Sequence, residues 1–213
     1  PLGNSLNNCT SLTILVFGNN FNSKLGNALN NCIALTHIEF GNNFSQPLFN
    51  SLNNCTALTH IKFGMEFNRQ LNNALDNCTS LTYIKFGYNF NQFLANSLNN
   101  CKSLTHIIFG FCFSYPLANS LFNCTELTNI AFGFFFNEQL DNALCNCTAL
   151  THISFGYHFS QPLDDFLNGH PSLTHLGLGY KFNQKSDLPY NIKSLSLNCN
   201  NEFYTEYLPD TIE

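Results

Sequence analysis

Charged residues are scarce in this sequence of 213 residues, at 10% of the chain against roughly 25% in ordinary soluble domains. The net charge is −5, and the few lysines and arginines form no basic run, which argues against a nucleic-acid-binding groove. No apolar run approaches the ~20 residues that a membrane-spanning helix needs. We therefore expect no nucleic-acid partner and no membrane insertion.

Motifs of enzyme active sites are also missing. The sequence contains no glycine-rich phosphate loop, no nucleophile elbow and no His-Glu-x-x-His pattern. Asp164 and Asp165 lie near His170, but this cluster falls in a degenerate repeat and is interpreted as a local irregularity. We expect a protein that is not an enzyme and has no cofactor.

The sequence does contain internal repetition, with a period of 23 residues. A fixed period of this length is typical of a solenoid, in which stacked coils share one core. We predict a single solenoid over residues 1–213, with a partial first coil at 1–11 and degenerate coils at 170–213. Because the chain starts in mid-repeat, we expect it to be a fragment of a longer protein. Copies of the repeat motif begin at Cys9, Cys32, Cys55, Cys78, Cys101, Cys124, Cys147 and, with the cysteine replaced, His170.

Each repeat has a strand-like and a helix-like segment. Leu35, Ile38 and Phe40 form a Leu-x-x-Leu-x-Leu pattern, in which Ile38 and Phe40 alternate as in a short strand with its apolar side inward, and Gly41 ends the strand. The second segment has apolar residues at i, i+4 and i+7, which predicts a short α- or 3₁₀-helix. Its example is Leu48, Leu52 and Cys55.

The predicted fold class is therefore an α/β repeat solenoid. It is a right-handed leucine-rich-repeat coil with a parallel β-sheet on one face and short helices or 3₁₀ turns on the other. Eight independent hairpins or a β-propeller are the alternatives, but 23 residues are too few for a four-stranded propeller blade of ~40–45 residues.

The motif Cys-Thr-Ser/Ala-Leu-Thr-x-Ile-x-Phe-Gly resembles the BspA-type (treponemal) leucine-rich repeat. The element Phe-Ser-Gln-Pro-Leu, at 44–48 and 159–163, is similar to the FNIP repeat of amoebae and giant viruses, and residues 188–197 resemble that form further. One departure is the glycine after the strand, where BspA-type repeats usually have proline. The resemblance implies a recognition protein without a catalytic motif: an adhesion or cell-surface protein for the BspA type, and an intracellular or virus-encoded protein for FNIP.

Seven of the ten cysteines occupy one repeat position. Equivalent side chains in stacked coils lie in parallel about 4.8 Å apart, a poor approach for disulfides, so we predict a row of buried free thiols. Cys112, Cys145 and Cys199 lie outside this row. Asn-Cys-Thr glycosylation patterns recur beside the row, too crowded for glycans, which favours a reducing, cytoplasmic or viral setting.

Three positions per repeat are expected on the outer, concave side of the sheet. The first position is threonine in every repeat, and threonine is a good strand former on a half-exposed face. The alternative is that the threonines present an array of hydroxyl groups that binds carbohydrate or ice. The second, the histidine row, would bring His37 beside His60 and His152 beside His175. Two imidazoles supply only half of a tetrahedral zinc site, so we expect no metal there, and pH sensitivity remains an alternative. The histidine row comprises Ile14, His37, His60, Tyr83, His106, Asn129, His152 and His175.

The third outward position, the variable row, changes from charged to small and apolar along the chain. Variation on an otherwise regular sheet is where specificity can be encoded. This row comprises Val16, Glu39, Lys62, Lys85, Ile108, Ala131, Ser154 and Gly177.

The residue after the repeat glycine is aromatic in five consecutive repeats. Another phenylalanine already fills the inward position of each, so we expect this second set to be partly exposed and to contact a partner. The aromatic stripe comprises Tyr88, Phe111, Phe134, Tyr157 and Tyr180, with Phe135 and His158 beside it.

The predicted function is non-enzymatic protein recognition through the sheet face and the aromatic stripe. The alternative is a structural or surface component, such as an adhesin or virion-coat element, that associates end to end, because Ile14 and Val16 leave an apolar first strand unprotected. The predicted partner-binding residues are Tyr88, Phe111, Phe134, Phe135, Tyr157, Tyr180, His37, His60, His106, His152, His175, Glu39, Lys62 and Lys85.

Overall fold

The computed structural model describes residues 2–52, 54–140, 142–185 and 187–198. They form one sheet of nine parallel strands, in which each strand pairs with the next along the chain. One strand per coil in sequential order is the topology of a solenoid. The elements are β1 (Ile14–Val16), β2 (His37–Glu39), β3 (His60–Lys62), β4 (Tyr83–Lys85), β5 (His106–Ile108), β6 (Asn129–Ala131), β7 (His152–Ser154), α1 (Asp164–Gly169), β8 (His175–Leu178) and β9 (Ser194–Leu197).

The register pairs equivalent repeat positions. Ile38 pairs with Ile61 across β2 and β3, and the residues on either side pair in the same way. Every repeat position therefore becomes a continuous row along the solenoid. The last repeat is shorter in sequence than the others, because His175 of β8 pairs with Ser194 of β9.

The core consists of the inward rows of Leu, Ile, Phe and Cys, as predicted. Two phenylalanine rows run side by side through it. In the row next to the sheet, neighbouring ring centroids such as those of Phe40 and Phe63 are 5.3 Å apart. In the second row the distance is larger, 6.0 Å between Phe44 and Phe67. Because the coils spread apart away from the sheet, the sheet forms the concave side of the curve.

The row of glycines after the strands is explained by close packing of the coils. A Cβ built on Gly64 would overlap the carbonyl oxygen of Gly41, one coil earlier, and the same overlap recurs from Gly41 to Gly156 and again at Gly179. Gly18 in the first coil is the exception, with nothing within 4 Å of such an atom. Glycine is present here because two backbones pass too close together for any side chain.

The helix predicted in each repeat is wrong for most of them. Within the described residues only the coil before β8 contains a helix, α1, and the other convex segments are successive turns. Residues with positive φ interrupt these segments, such as Asn72 (φ 48°), Ala95 (φ 51°) and Asn54 (φ 66°). The left-handed conformation ends a helical segment, so the spacing identified the buried face correctly but not the backbone.

The cysteine row is a set of free thiols, as predicted, and buried from Cys32 onwards. Burial raises the pKa of Cys55, Cys101 and Cys147 to about 12. Five thiols of the row lie near a leucine carbonyl of an earlier coil, for example Cys55 Sγ at 3.3 Å from Leu29 O. The replacement, His170, takes over this contact with its Nε2 at 2.9 Å from Leu144 O. Cys112 is half-buried, Cys145 is exposed, and Cys199 lies outside the described residues.

Asparagine side chains satisfy the backbone where the coils turn. Asn68 Oδ1 accepts a hydrogen bond of 3.0 Å from the backbone N–H of Asn91, and Asn91 Oδ1 accepts one of the same length from Ser114 N–H. This agrees with the usual role of asparagine in turns. Within the described part of the chain, no helix has the length and apolar character needed to cross a membrane.

Candidate functional site

The threonine row on the outer face holds neighbouring coils together. Thr59 Oγ1 donates a hydrogen bond of 2.9 Å to the carbonyl oxygen of Thr36. The same bond is repeated in every coil from Thr36 to Thr174. These hydroxyl protons are therefore already used, and the row does not present a free hydroxyl array to carbohydrate or ice.

Each histidine of the histidine row is held by the threonine before it. His60 Nδ1 lies 2.9 Å from Thr59 Oγ1, and the other four histidines make the same contact at 2.8–2.9 Å. The threonine has one hydroxyl proton, and it goes to the carbonyl of the preceding coil. The ring Nδ1 must therefore carry the proton of this contact, which assigns the neutral tautomer with an unprotonated Nε2.

The two histidine pairs stack as the register predicts. The ring centroids of His37 and His60 are 4.4 Å apart with an interplanar angle of 11°, and those of His152 and His175 are 3.8 Å apart at the same angle. Burial, followed by repulsion from His37 and His106, lowers the pKa of His60. The pKa of His152 is lowered in the same way, by burial and then by His175 and His106.

No group of three or more metal-ligating side chains occurs among the residues that the structure describes. The stacked pairs offer two imidazoles each. Because the rings of each pair are nearly parallel, their lone pairs also run parallel instead of converging on one ion. The geometry therefore gives little support to the zinc alternative.

The variable row differs between its two halves. In the first half, Lys62 Nζ forms an ion pair with Glu39, and the neighbouring Lys85 has no ion-pair partner among the described residues. From β6 onwards the residues of the row are small, and they line a groove of about 360 Å³. His152 and His175 also line this groove. The small lining residues are Ala131, Ser154, Gly177 and Ser196.

The aromatic stripe is a continuous stack of rings. Centroid distances between neighbours rise from 4.5 Å for Tyr88 and Phe111 to 5.0 Å for Tyr157 and Tyr180. Phe135 packs edge-on against Phe111 at 5.3 Å. Ring faces are therefore turned toward one another and ring edges toward solvent. The exposed members are Tyr88 at 47%, Phe135 at 44% and Tyr180 at 49%, and the rest are half-buried.

The structure thus places all the predicted site residues along one side of the solenoid, the histidine and variable rows on the sheet and the aromatic stripe just beyond the strand ends. The sequence prediction did not include the small residues that line the groove. The decrease in side-chain size along the variable row is the sequence feature that could have predicted the groove. Exposed aromatic residues in the turn segments, such as Phe49, Tyr115 and Phe122, were also not predicted.

The repeat and its geometry agree with a known family. The family model described as the BspA-type leucine-rich repeat region matches the chain in six copies, over residues 3–105 and 71–174. This chain belongs to the BspA-type leucine-rich-repeat family. Its similarity to the FNIP repeat stays a prediction. No curated protein sequence matches the chain.

Solved structures with the same architecture include CroV588, a circular leucine-rich-repeat protein of the giant virus CroV, with a TM-score of 0.60 and 30% identity over 95% of this chain. An internalin from Listeria monocytogenes gives a TM-score of 0.65 at 17% identity over 91% of this chain. Toll of Drosophila, solved in its complex with Spätzle, gives a TM-score of 0.52 at 18% identity over 87% of this chain. The last two show the fold alone. The BspA-type chain spans 39% of CroV588, 63% of the internalin and 29% of the Toll chain.

Proposed function

We propose that this BspA-type chain is a recognition module that binds a protein partner through the outer face of its sheet and the aromatic stripe. Leucine-rich-repeat proteins are generally scaffolds for protein–protein contacts, without enzymatic activity. The structurally similar Toll chain was solved in a complex with Spätzle.

The observation that carries the proposal is the aromatic stripe beside a regular sheet. Aromatic residues contribute most of the binding energy in many interfaces, and the stripe exposes ring edges along five successive coils. Its packing keeps the rings rigid, which lowers the entropy that binding costs. Side chains of the partner would fill the groove in the second half of the sheet and meet Glu39, Lys62 and Lys85 in the first half.

A display library of random peptides tests this proposal. Peptides selected on the unmodified chain should bind the double variant Phe111→Ser/Phe134→Ser about a hundredfold more weakly, because the stripe loses its centre. The control is Phe122→Ser, an aromatic residue that is 49% exposed in a convex turn. It should leave the affinity unchanged, and circular dichroism should show that both variants keep the fold. Selected peptides that bind the stripe variant and the unmodified chain equally well would contradict the proposal.

A second candidate function is assembly through the first coil. Ile14 is 60% and Val16 63% exposed, and Leu12 and Leu15 are only partly covered by the core. An open strand edge beside exposed core residues is a site at which another chain can add. Analytical ultracentrifugation should then show concentration-dependent association that Ile14→Lys/Val16→Lys removes. A monomer at all concentrations would exclude this candidate.

A further inference from the structure

The histidine row repeats one hydrogen-bond arrangement that leaves a ring nitrogen able to bind a proton. In all five histidines, Nδ1–H already donates to the threonine directly before it, and the proton of that threonine goes to a carbonyl oxygen of the preceding coil. Nε2 makes no hydrogen bond to another described group, and the rings are half-buried or exposed. A proton can therefore be added at Nε2 without breaking any hydrogen bond of the fold. The added charge is then carried on the outer face.

The charges around the row favour an anionic partner. The chain has 13 acidic residues, but the strands β1–β9 carry only one, Glu39, and it is paired with Lys62. Lys85 is the other charged residue on the strands. The segments that lead into β5, β6 and β9 add Lys102, Glu126 and Lys193. Although the whole chain has a net charge of −5, the sheet side has an excess of cations before any histidine is protonated.

We infer that the histidine row is the docking surface for an acidic segment of a protein, which is bound more tightly as the pH falls and the row takes up protons at Nε2. Without a partner, a second proton on a stacked pair is opposed by the first, since the rings of His152 and His175 are 3.8 Å apart. A carboxylate placed over the pair offsets that repulsion. Binding of the acidic segment and proton uptake therefore promote each other.

The inference rests on the proposed function and adds the chemistry of the partner to it. An acidic protein fits better than a nucleic acid, because the face has two lysines on its strands and no basic run that could follow a phosphate backbone. The groove of about 360 Å³ beside His152 and His175 can also take apolar side chains next to the acidic ones.

Random peptides displayed and selected on the full chain at about pH 6 provide the first test. We expect the recovered peptides to be enriched in Asp and Glu. Their affinity should rise about tenfold from about pH 7.5 to about pH 6, a range in which histidine titrates and carboxylates stay ionised. Calorimetry in two buffers of different ionisation enthalpy should show uptake of about one proton for each stacked pair.

The double variant His152→Gln/His175→Gln identifies the groups responsible. In this variant the change in affinity between the two pH values should fall below about threefold. The control is His158→Gln, which removes a histidine beside the aromatic stripe and outside the row, and the pH dependence should persist. Circular dichroism checks that both variants are folded.

Three results would overturn the inference. Selected peptides without enrichment in acidic residues and without proton uptake would exclude the acidic partner and leave protein recognition intact. An oligothymidine that binds with the same dependence on His152 and His175 would assign the surface to nucleic acid. If no peptide binds at either pH, the proposed function fails together with the inference.

Discussion

Inward and outward positions of the coils differ in how much their residues vary, although the two kinds of position alternate along the same strands. In β3, Ile61 is fully buried, whereas the neighbouring His60 and Lys62 reach solvent. Inward positions keep nearly the same residue in every coil, while the variable row ranges from Lys62 to Gly177. The interior positions must fit one fixed coil spacing, and the outer positions need only be compatible with a strand.

The difference teaches where to look for function in a repeat protein. Rows that are uniform because of packing, such as the glycine and cysteine rows, determine the shape of the solenoid. Rows that are free to vary can differ between coils without disturbing it. Substitutions inside should therefore reduce the free energy of unfolding, and substitutions outside should change binding.

The largest expected effect is that of Gly110→Ala in the interior. The new Cβ would overlap the carbonyl oxygen of Gly87, so the coils must move apart, and we expect a loss of roughly 3 kcal/mol in the free energy of unfolding. Urea denaturation measures it. Gly18→Ala is the matched control, since nothing lies within 4 Å of its Cβ. Equal losses in the two variants would show that the close approach of the coils is not the reason for the glycine row.

Substitution of two phenylalanines that are two positions apart allows a direct comparison of the interior with the aromatic stripe. Phe113 is fully buried, and Phe113→Ala should cost about 3–5 kcal/mol. Phe111 stacks between Tyr88 and Phe134 at the surface, and Phe111→Ala should cost only about 1 kcal/mol. Denaturant unfolding of both variants checks the order, and a reversed order would mean that the stripe is part of the core.

Two cysteines in one turn segment should differ in reactivity. Cys145 is exposed, whereas Cys147 is buried with its pKa raised by burial to about 12. Iodoacetamide should modify Cys145 in the native protein at least about a hundred times faster, because the thiolate is the nucleophile. Mass spectrometry of tryptic peptides gives the two rates, and unfolding in urea should make them similar. Comparable native rates would show that the cysteine row is open to solvent.

The smallest expected effect concerns pH. The pKa values of His60 and His152 are lower in the folded chain than in the unfolded one, so the unfolded chain binds protons more readily. Their contribution to stability is present above the unfolded pKa of about 6.5 and is lost as the pH falls through the folded value. The unfolding temperature should therefore fall less on acidification in His60→Gln/His152→Gln than in the unmodified chain. His158→Gln is the control, and identical slopes in all three proteins would contradict the prediction.

Much of the architecture could be predicted from the sequence, since the period, the Leu-x-x-Ile-x-Phe spacing and the inward Phe44 are local patterns repeated in each coil. The helix over Leu48, Leu52 and Cys55 was not predictable in the same way. Turns can put these side chains on one buried face as well as a helix can, and the positive φ of Phe49 in that segment cannot be recognised from residue type.

The sequence by itself determined the solenoid, its rows and the set of residues on the outer face, because stacking at a constant period turns each repeat position into a line. Only the tertiary structure decided which hydrogen bonds and contacts the residues of these rows make. It showed that the threonine hydroxyls bond to the preceding coil, that they fix the histidine tautomer, and that the small residues from Ala131 onwards form a groove. These features depend on contacts between residues 23 positions apart, and their geometry is set by the spacing of the coils and not by any one repeat.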